Sequence, residues 1–183
     1  NSNVILSSSL DIQESFGAFI EELKKVIDVA WAAIVLVEDN KLLTMALSSP
    51  EMGAYQIGDR VPMEGTGTGW VMTQKKPFIE YDLAQEKYFT TSEHFLSLGI
   101  RTTGYFPLIA KGRIIGSLII TSKLPNAYSP RHIKLLEQLA SQIAMPLENS
   151  QLYAKAEKKA RVDELTRLLN RRSLDEMLDS EIS

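Results

Sequence analysis

The chain contains no cysteine. That single absence excludes disulfides, thiolate metal sites, thiol nucleophiles and thioether-linked cofactors together. Histidine is nearly absent too: His94 and His132 are the only two. With so few, no Cys/His pair, metal-ligand cluster or Ser/His/Asp constellation stands at a usable spacing, and neither a catalytic residue nor a metal site is expected in this chain. No apolar run reaches the roughly 18–20 residues that span a bilayer, and the N-terminus lacks the layout of a signal peptide. The net charge is only -3, which gives no electrostatic case for nucleic acid or an anionic membrane as partner. A cytoplasmic protein is the expectation. Because it starts at Asn1 rather than Met, the chain reads as a fragment of something longer.

What is present is ordinary globular material. Of 183 residues, 44% are hydrophobic and 23% charged, enough to build a core with an appendage or two small domains. Residues 1–10 are small and polar and read as a lead-in. Asp11 and Glu14 have capping-box spacing, and Phe16, Phe19, Ile20, Leu23, Val26 and Ile27 recur at helical intervals, predicting a helix over 11–29. Trp31–Val37 and Lys41–Leu47 are β-rich and flank the turn pair Asp39-Asn40, a hairpin signature. A loop over 48–58 leads to a short strand near 60–63.

Gly65-Thr66-Gly67-Thr68-Gly69-Trp70 invites a nucleotide-loop reading, which fails on inspection. A dinucleotide fingerprint needs a glycine where Trp70 stands, and a phosphate loop ends in Gly-Lys-Ser/Thr. The plainer reading is a turn feeding a short helix over 70–74, whose free N–H groups are suited to an anionic part of a ligand. A strand over 77–81, an irregular segment with a helical piece near 92–98, and a second hairpin follow. That hairpin joins 100–110 to 113–122 through Lys111-Gly112. Ser129-Pro130 then opens a helix, Ser as N-cap and Pro at the first helical position.

This order predicts an α+β domain: a central antiparallel sheet of five or six strands, with the terminal helices on one face. The crossover over 48–99 closes the other face above a ligand-type cavity. Candidate apolar walls are Trp70, Phe78, Phe89, Phe95 and Phe106, with Asp82, His94, Arg101, Thr103 and Tyr105 as candidate polar groups. Strand alternation separates Arg101, Thr103 and Tyr105 from Thr102, Gly104 and Phe106, without saying which set faces inward. Arg101 suits either a ligand anion or an ion pair with Asp82. His94 is a conceivable axial haem ligand, but a lone helical His is more often an exposed residue, so haem is disfavoured.

Several motifs fall in the order seen in one known family. Gly69-Trp70-Val71, Lys76-Pro77-Phe78-Ile79, Tyr81-Asp82-Leu83, Gly99-Ile100-Arg101-Thr102 and Phe106-Pro107-Leu108 come first. Gly112–Leu118 and Tyr128-Ser129 with Leu135, Leu136 and Leu139 follow, and Glu148–Tyr153 closes the series. Together, over about residues 10–155, they resemble a GAF domain. The tail resembles the entry to a GGDEF domain, the diguanylate cyclase fold, whose usual opening is Asp-x-Leu-Thr-Gly-Leu-x-Asn-Arg-Arg. Asp163, Leu165, Thr166, Leu168, Asn170, Arg171 and Arg172 match it, while Arg167 replaces the usual Gly. The resemblance divides the chain into a lead-in (1–10), a sensory domain (11–145), a linker or signalling helix (146–161) and the start of a GGDEF domain (162–183). The GGDEF family's catalytic motif lies further on, so cyclisation of GTP is expected of a parent protein and not of this chain.

What the resemblance implies about ligands is mostly negative. Without cysteine there is no covalently attached bilin, and none of the thiol chemistry of GAF-type methionine-sulfoxide reductases. The Asn-Lys-x-Phe signature of cyclic-nucleotide-binding members is replaced by Ser122-Lys123-Leu124-Pro125-Asn126, so a cyclic nucleotide, like haem, is an alternative ligand without a motif behind it. The cofactor is therefore unknown, and an unidentified small molecule is the expected partner. The helix from Ser129 to Arg161 would be about 50 Å long if straight at 1.5 Å per residue. Pro146 predicts a kink or break near 142–146. Beyond it Leu147, Leu152, Ala156 and Ala160 form a thin seam, expected to hold a homodimer whose register gates output. The competing expectation is a dimerisation scaffold without ligand.

Overall fold

Ten elements follow one another in the computed structural model, which describes residues 2–48, 55–152 and 165–169, with side chains from Ile12 to Glu148 outside the 49–54 gap and again over 165–169. Helix α1 (Ser2–Leu23) leads into strands β1 (Trp31–Glu38), β2 (Lys41–Leu47) and β3 (Arg60–Pro62). Helix α2 (Gly67–Gln74), strand β4 (Phe78–Glu80) and helix α3 (Ser92–Ser97) form the crossover. Strands β5 (Thr102–Ala110) and β6 (Arg113–Ser122) and helix α4 (Pro130–Leu152) complete the domain. The sheet has six strands in the order β3-β2-β1-β6-β5-β4, and every neighbouring pair is antiparallel.

Both hairpins turn where the sequence puts them. Asp39 and Asn40 take φ of 50° and 61°, and Lys111 and Gly112 take 54° and 76°, the left-handed pair that matches strand twist. β1 and β6 sit at the centre, and Gly116 is what lets them close. A Cβ there would collide with the Val35 carbonyl oxygen and the Leu36 backbone.

The two faces carry separate cores. Phe16, Phe19, Ile20 and Leu23 of α1 and Leu136, Leu139, Ile143 and Leu147 of α4 pack on Ile34, Leu36, Phe106, Leu108, Leu118 and Ile120. The opposite face buries Trp31, Val35, Tyr105 and Ile119 under Tyr55, Val71, Leu83 and Phe95 from the crossover side. The fold is α+β, with the terminal helices together on one face.

Four expectations about the helices' bounds and continuity need correction. α1 begins at Ser2, so 2–10 is helix and not a lead-in, and Asp11 lies inside the helix rather than at its start. Val4, Ile5 and Leu10 extend the apolar pattern of the sequence backwards, and serine is only a modestly poorer helix former than alanine. The helix ends at Leu23, short of residue 29. α2 starts at Gly67 and not Trp70: the Thr66 hydroxyl accepts from Gly69 N at 3.0 Å, a cap that the glycines masked. α4 runs through Pro146 to Leu152 without a break. The proline forfeits one hydrogen bond, but burial of Ile143, Ala144 and Leu147 on either side of it holds the helix.

Ser129 caps α4 as its sequence suggests, accepting from His132 N at 3.2 Å, while His132 Nδ1 accepts from Ser129 N at 3.3 Å. The imidazole thus takes the place of the usual Glu in a capping box. Leu147, expected on the linker seam, is instead 1% exposed and part of the α1–α4 core. Residues 165–169 are helical, and Leu165 and Leu169 are buried in that same core. Ala156 and Ala160, the Leu152 side chain, and Asp163, Asn170, Arg171 and Arg172 lie outside the described residues.

Candidate functional site

The crossover face is assembled from close approaches that its sequence allows. Gly67 has no side chain because the Tyr105 ring occupies that space, with ring carbons 2.5 Å from where a Cβ would stand. Thr68 and Ser117 share a buried hydroxyl–hydroxyl hydrogen bond of 2.6 Å, fixing α2 to β6. β4 is short, and its last residue, Glu80, points into the layer with no exposure at all. Its carboxylate accepts from Thr103 Oγ1 at 2.8 Å, Ser92 Oγ at 2.6 Å and Tyr88 N at 2.9 Å. These bonds tie β4, β5, α3 and the loop before α3 to one buried charge.

Beside Glu80 lies an aromatic group. Tyr55 stacks on Trp31 with ring centroids 5.6 Å apart and planes at 15°, and Phe95 tilts against both at 5.7 and 6.3 Å. A second run, Trp70, Phe78, Phe89 and Tyr105, meets edge to face at 4.7, 5.1 and 5.3 Å. Three polar atoms within these groups are buried without a well-formed hydrogen bond: Trp31 Nε1, Thr91 Oγ1 and the Tyr105 hydroxyl. Burial pushes the Tyr55 phenol up to about 12, against an opposing pull from Thr91. Burial, then the neighbouring Tyr55 and Glu80, push Tyr105 well above the ordinary phenol value, while Thr91 and Thr103 act the other way. Thr91 therefore stands between two phenols. Buried donors left without partners are uncommon in folded proteins, and Trp31 Nε1 is one, beside hydroxyls that meet only in poor geometry.

The structure sorts the candidates that sequence reasoning proposed. Phe89, Phe95, Thr103 and Tyr105 belong to this layer, and Trp70 and Phe78 flank it, half-buried. Arg101 is spoken for. It donates to Asp82 through Nε at 2.7 Å and Nη2 at 2.8 Å, a forked pair that holds the Asp82 carboxyl below its ordinary range. Two candidates lie elsewhere. Phe106 packs under the terminal helices, because the strand's inward set on this face is Thr103 and Tyr105. His94 is exposed on α3, since Phe95 is the residue of that helix turned to the core. Trp31, Tyr55, Glu80, Thr91 and Ser92 were missed. No motif marks them; the one available signal was an acidic residue inside a strand pattern, at Glu80.

An open cleft of about 680 Å³ lies along the outer edge of β4, between Phe78, Ile79 and Asp82 on one side and Ile133 and Glu137 of α4 on the other. Phe78 belongs both to this cleft and to the edge-to-face run that ends at Tyr105. Among the described residues no group of three or more His, Asp or Glu gathers to hold a metal ion, and no helix is long and apolar enough to cross a membrane.

The model of the GAF domain family matches residues 9–148. The chain belongs to the GAF family. No curated protein matches it significantly. Among solved structures, the GAF domain of a two-component sensor histidine kinase from Bacillus halodurans superposes with a TM-score of 0.68 at 20% identity, over 78% of this chain and 97% of that one. The GAF region of a putative membrane protein from Geobacter sulfurreducens gives 0.63 at 24% identity, covering 76% and 95%. The type II free methionine-R-sulfoxide reductase of Thermoplasma acidophilum gives 0.59 at 17% identity, covering 75% and 92%. At these identities the likeness concerns the GAF fold. The fold serves both signalling proteins and enzymes, so it does not choose between them.

Proposed function

We propose that this GAF domain is the sensory module of a signalling protein, binding a small molecule on the crossover face of its sheet and controlling a C-terminal diguanylate cyclase. The observation that carries the reading is the buried polar set Trp31 Nε1, Thr91 Oγ1 and Tyr105 hydroxyl, none with a well-formed hydrogen bond inside an aromatic layer. An apolar interior has no use for three such atoms, whereas a ligand with complementary groups satisfies them. The edge-to-face run from Phe78 to Tyr105 links the wall of the open cleft to this interior by direct ring contact. The cyclase assignment rests on the run Asp163–Arg172 of the sequence, and transmission on the α1–α4 core that Leu165 and Leu169 of that run share. An enzymatic role for the chain itself is not proposed. The sulfoxide reductases share its fold, but thiol chemistry has no cysteine here.

A ligand-free dimerisation scaffold is the second reading, favoured by the way Trp31, Tyr55 and Phe95 fill the layer. Native mass spectrometry of the purified chain, followed by the denatured mass, separates the two. A small mass lost on denaturation supports the sensor, and an apo dimer unresponsive to metabolite extracts supports the scaffold. The protein extended through a complete second domain tests the output: formation of cyclic di-GMP from GTP, changed by substitution of Thr91 or Tyr105, is the expected result. Absence of that activity removes the cyclase assignment and leaves the sensor reading in place.

A further inference from the structure

We infer that the Tyr55 ring holds the place of the ligand: the cognate molecule is a planar, uncharged aromatic or heteroaromatic compound with hydrogen-bond acceptors on its edge, and it binds on Trp31 by displacing Tyr55. This rests on the sensor reading and adds to it the ligand's class and the manner of its entry.

Of the three rings in contact on this face, Trp31 is fixed in β1 and Phe95 in α3. Tyr55 alone lies outside helix and strand, and none of the β2–β3 pairs Lys41–Pro62, Leu42–Val61 and Leu43–Arg60 includes it. Its withdrawal therefore breaks no strand pairing and leaves a ring-shaped space against the indole. The near-parallel 15° arrangement on Trp31 departs from the edge-to-face geometry of the Phe78–Phe89–Tyr105 run, and it selects a flat occupant.

Polarity narrows the class further. Trp31 Nε1 can only donate, and it has no acceptor. Thr91 Oγ1 and the Tyr105 hydroxyl can each donate or accept, and neither has a well-formed partner. A ligand edge carrying carbonyl, hydroxyl or ring-nitrogen acceptors satisfies all three. Charge excludes the anionic alternatives. Glu80 and Glu148 are the charged side chains buried among the described residues, and Glu148 is paired with Arg113 beside α4. The charge beside the aromatic layer is thus Glu80, which repels a carboxylate or phosphate, and Arg101, the nearby cation at the layer's edge, is occupied by Asp82.

The probes are p-cresol, toluene and 4-hydroxybenzoate, titrated calorimetrically into the whole chain and into its Tyr55→Ala variant. The expected result is that Tyr55→Ala binds p-cresol at least tenfold more tightly than the unsubstituted chain, at least tenfold more tightly than toluene, and more tightly than 4-hydroxybenzoate. Thr91→Val in that background should remove the preference for p-cresol over toluene. An ordinary core cavity prefers toluene, because the hydroxyl of p-cresol loses water without gaining a partner, so a toluene preference overturns the inference. Tighter binding of 4-hydroxybenzoate overturns the ligand class while the sensor reading stands. If Tyr55→Ala fails to fold, the unsubstituted chain decides. With 3-fluorotyrosine incorporated, the Tyr55 resonance (assigned through Tyr55→Phe) should move towards its solvent value as p-cresol is added. A resonance that stays put at saturating p-cresol overturns displacement. A co-purified anion found by mass spectrometry likewise overturns this inference alone, and a chain unresponsive to every small molecule overturns both.

Discussion

A carboxylate buried without an ion pair is costly, and Glu80, which has none among the described residues, is held instead by a backbone N–H and two hydroxyls. Replacing it with Ala strands three donors at once, each worth about 1–3 kcal/mol when unpaired in the interior. Glu80→Ala should therefore lower unfolding free energy by about 3 kcal/mol or more in urea denaturation. Glu80→Gln should cost less, since only the amide end faces a donor it cannot accept from. Equal losses would mean that the charge and its donors contribute nothing beyond side-chain volume. Asp82 behaves differently, since its partner is a guanidinium. Its folded carboxyl is depressed, so the pair's contribution is present above the unfolded carboxyl value and is lost as pH falls through the folded one. An NMR titration should find Asp82 ionising below the ordinary range, and Arg101→Gln should return it towards the usual value of about 3.9.

Elements show where sequence was readable and where it was not. The turn pairs Asp39-Asn40 and Lys111-Gly112 and the cap Ser129 announce themselves because each needs particular backbone chemistry. β5 does not announce its faces. Thr102 to Leu108 are all buried, so the polar/apolar alternation that would orient a half-exposed strand is missing, and Phe106 and Tyr105 look equally eligible for the site. The residues missed at the site come from three separate segments, 31, 55 and 80–92, and only tertiary packing brings them together. Pro146 is the instructive case in α4: its sequence cost was legible, but the burial that overrides it was not. Pro146→Ala restores the N–H that can bond back to Gln142, and a proline inside a helix costs about 3 kcal/mol. The variant should melt higher, with a gain of about 1–3 kcal/mol by thermal denaturation. An unchanged melting temperature would mean that the helix has already relaxed around its missing bond.

At the scale of the whole molecule, buried phenols give stability an alkaline limit. Tyr55 and Tyr105 ionise less readily folded than unfolded, and so does Tyr128, which donates to the Asp28 carbonyl at 3.0 Å. A raised phenol favours the folded state fully below the unfolded value of about 10, and that advantage is lost as pH rises towards about 12 for Tyr55. Circular dichroism against pH should find unfolding setting in above pH about 10, with the onset moved higher in Tyr128→Phe. An onset unaffected by removing any of these phenols would assign alkaline unfolding to another group.

Leu165 and Leu169 bury themselves in the same core as α1 and α4, and this bears on where the protein can be cut and rejoined. Sequence alone draws the border of the sensory part at 145, and a designer grafting it onto a foreign output would cut there or soon after. Such a chimera would remove Leu147, Leu165 and Leu169 from the apolar layer they complete. Losing a buried leucine costs about 2–5 kcal/mol, so a donor module ending at 145 or 152 should express poorly and unfold earlier in urea than one carried through residue 169. Graft junctions placed beyond 169 would transfer the module as a working part, and Leu165 and Leu169, which follow the matched residues 9–148, would travel with it.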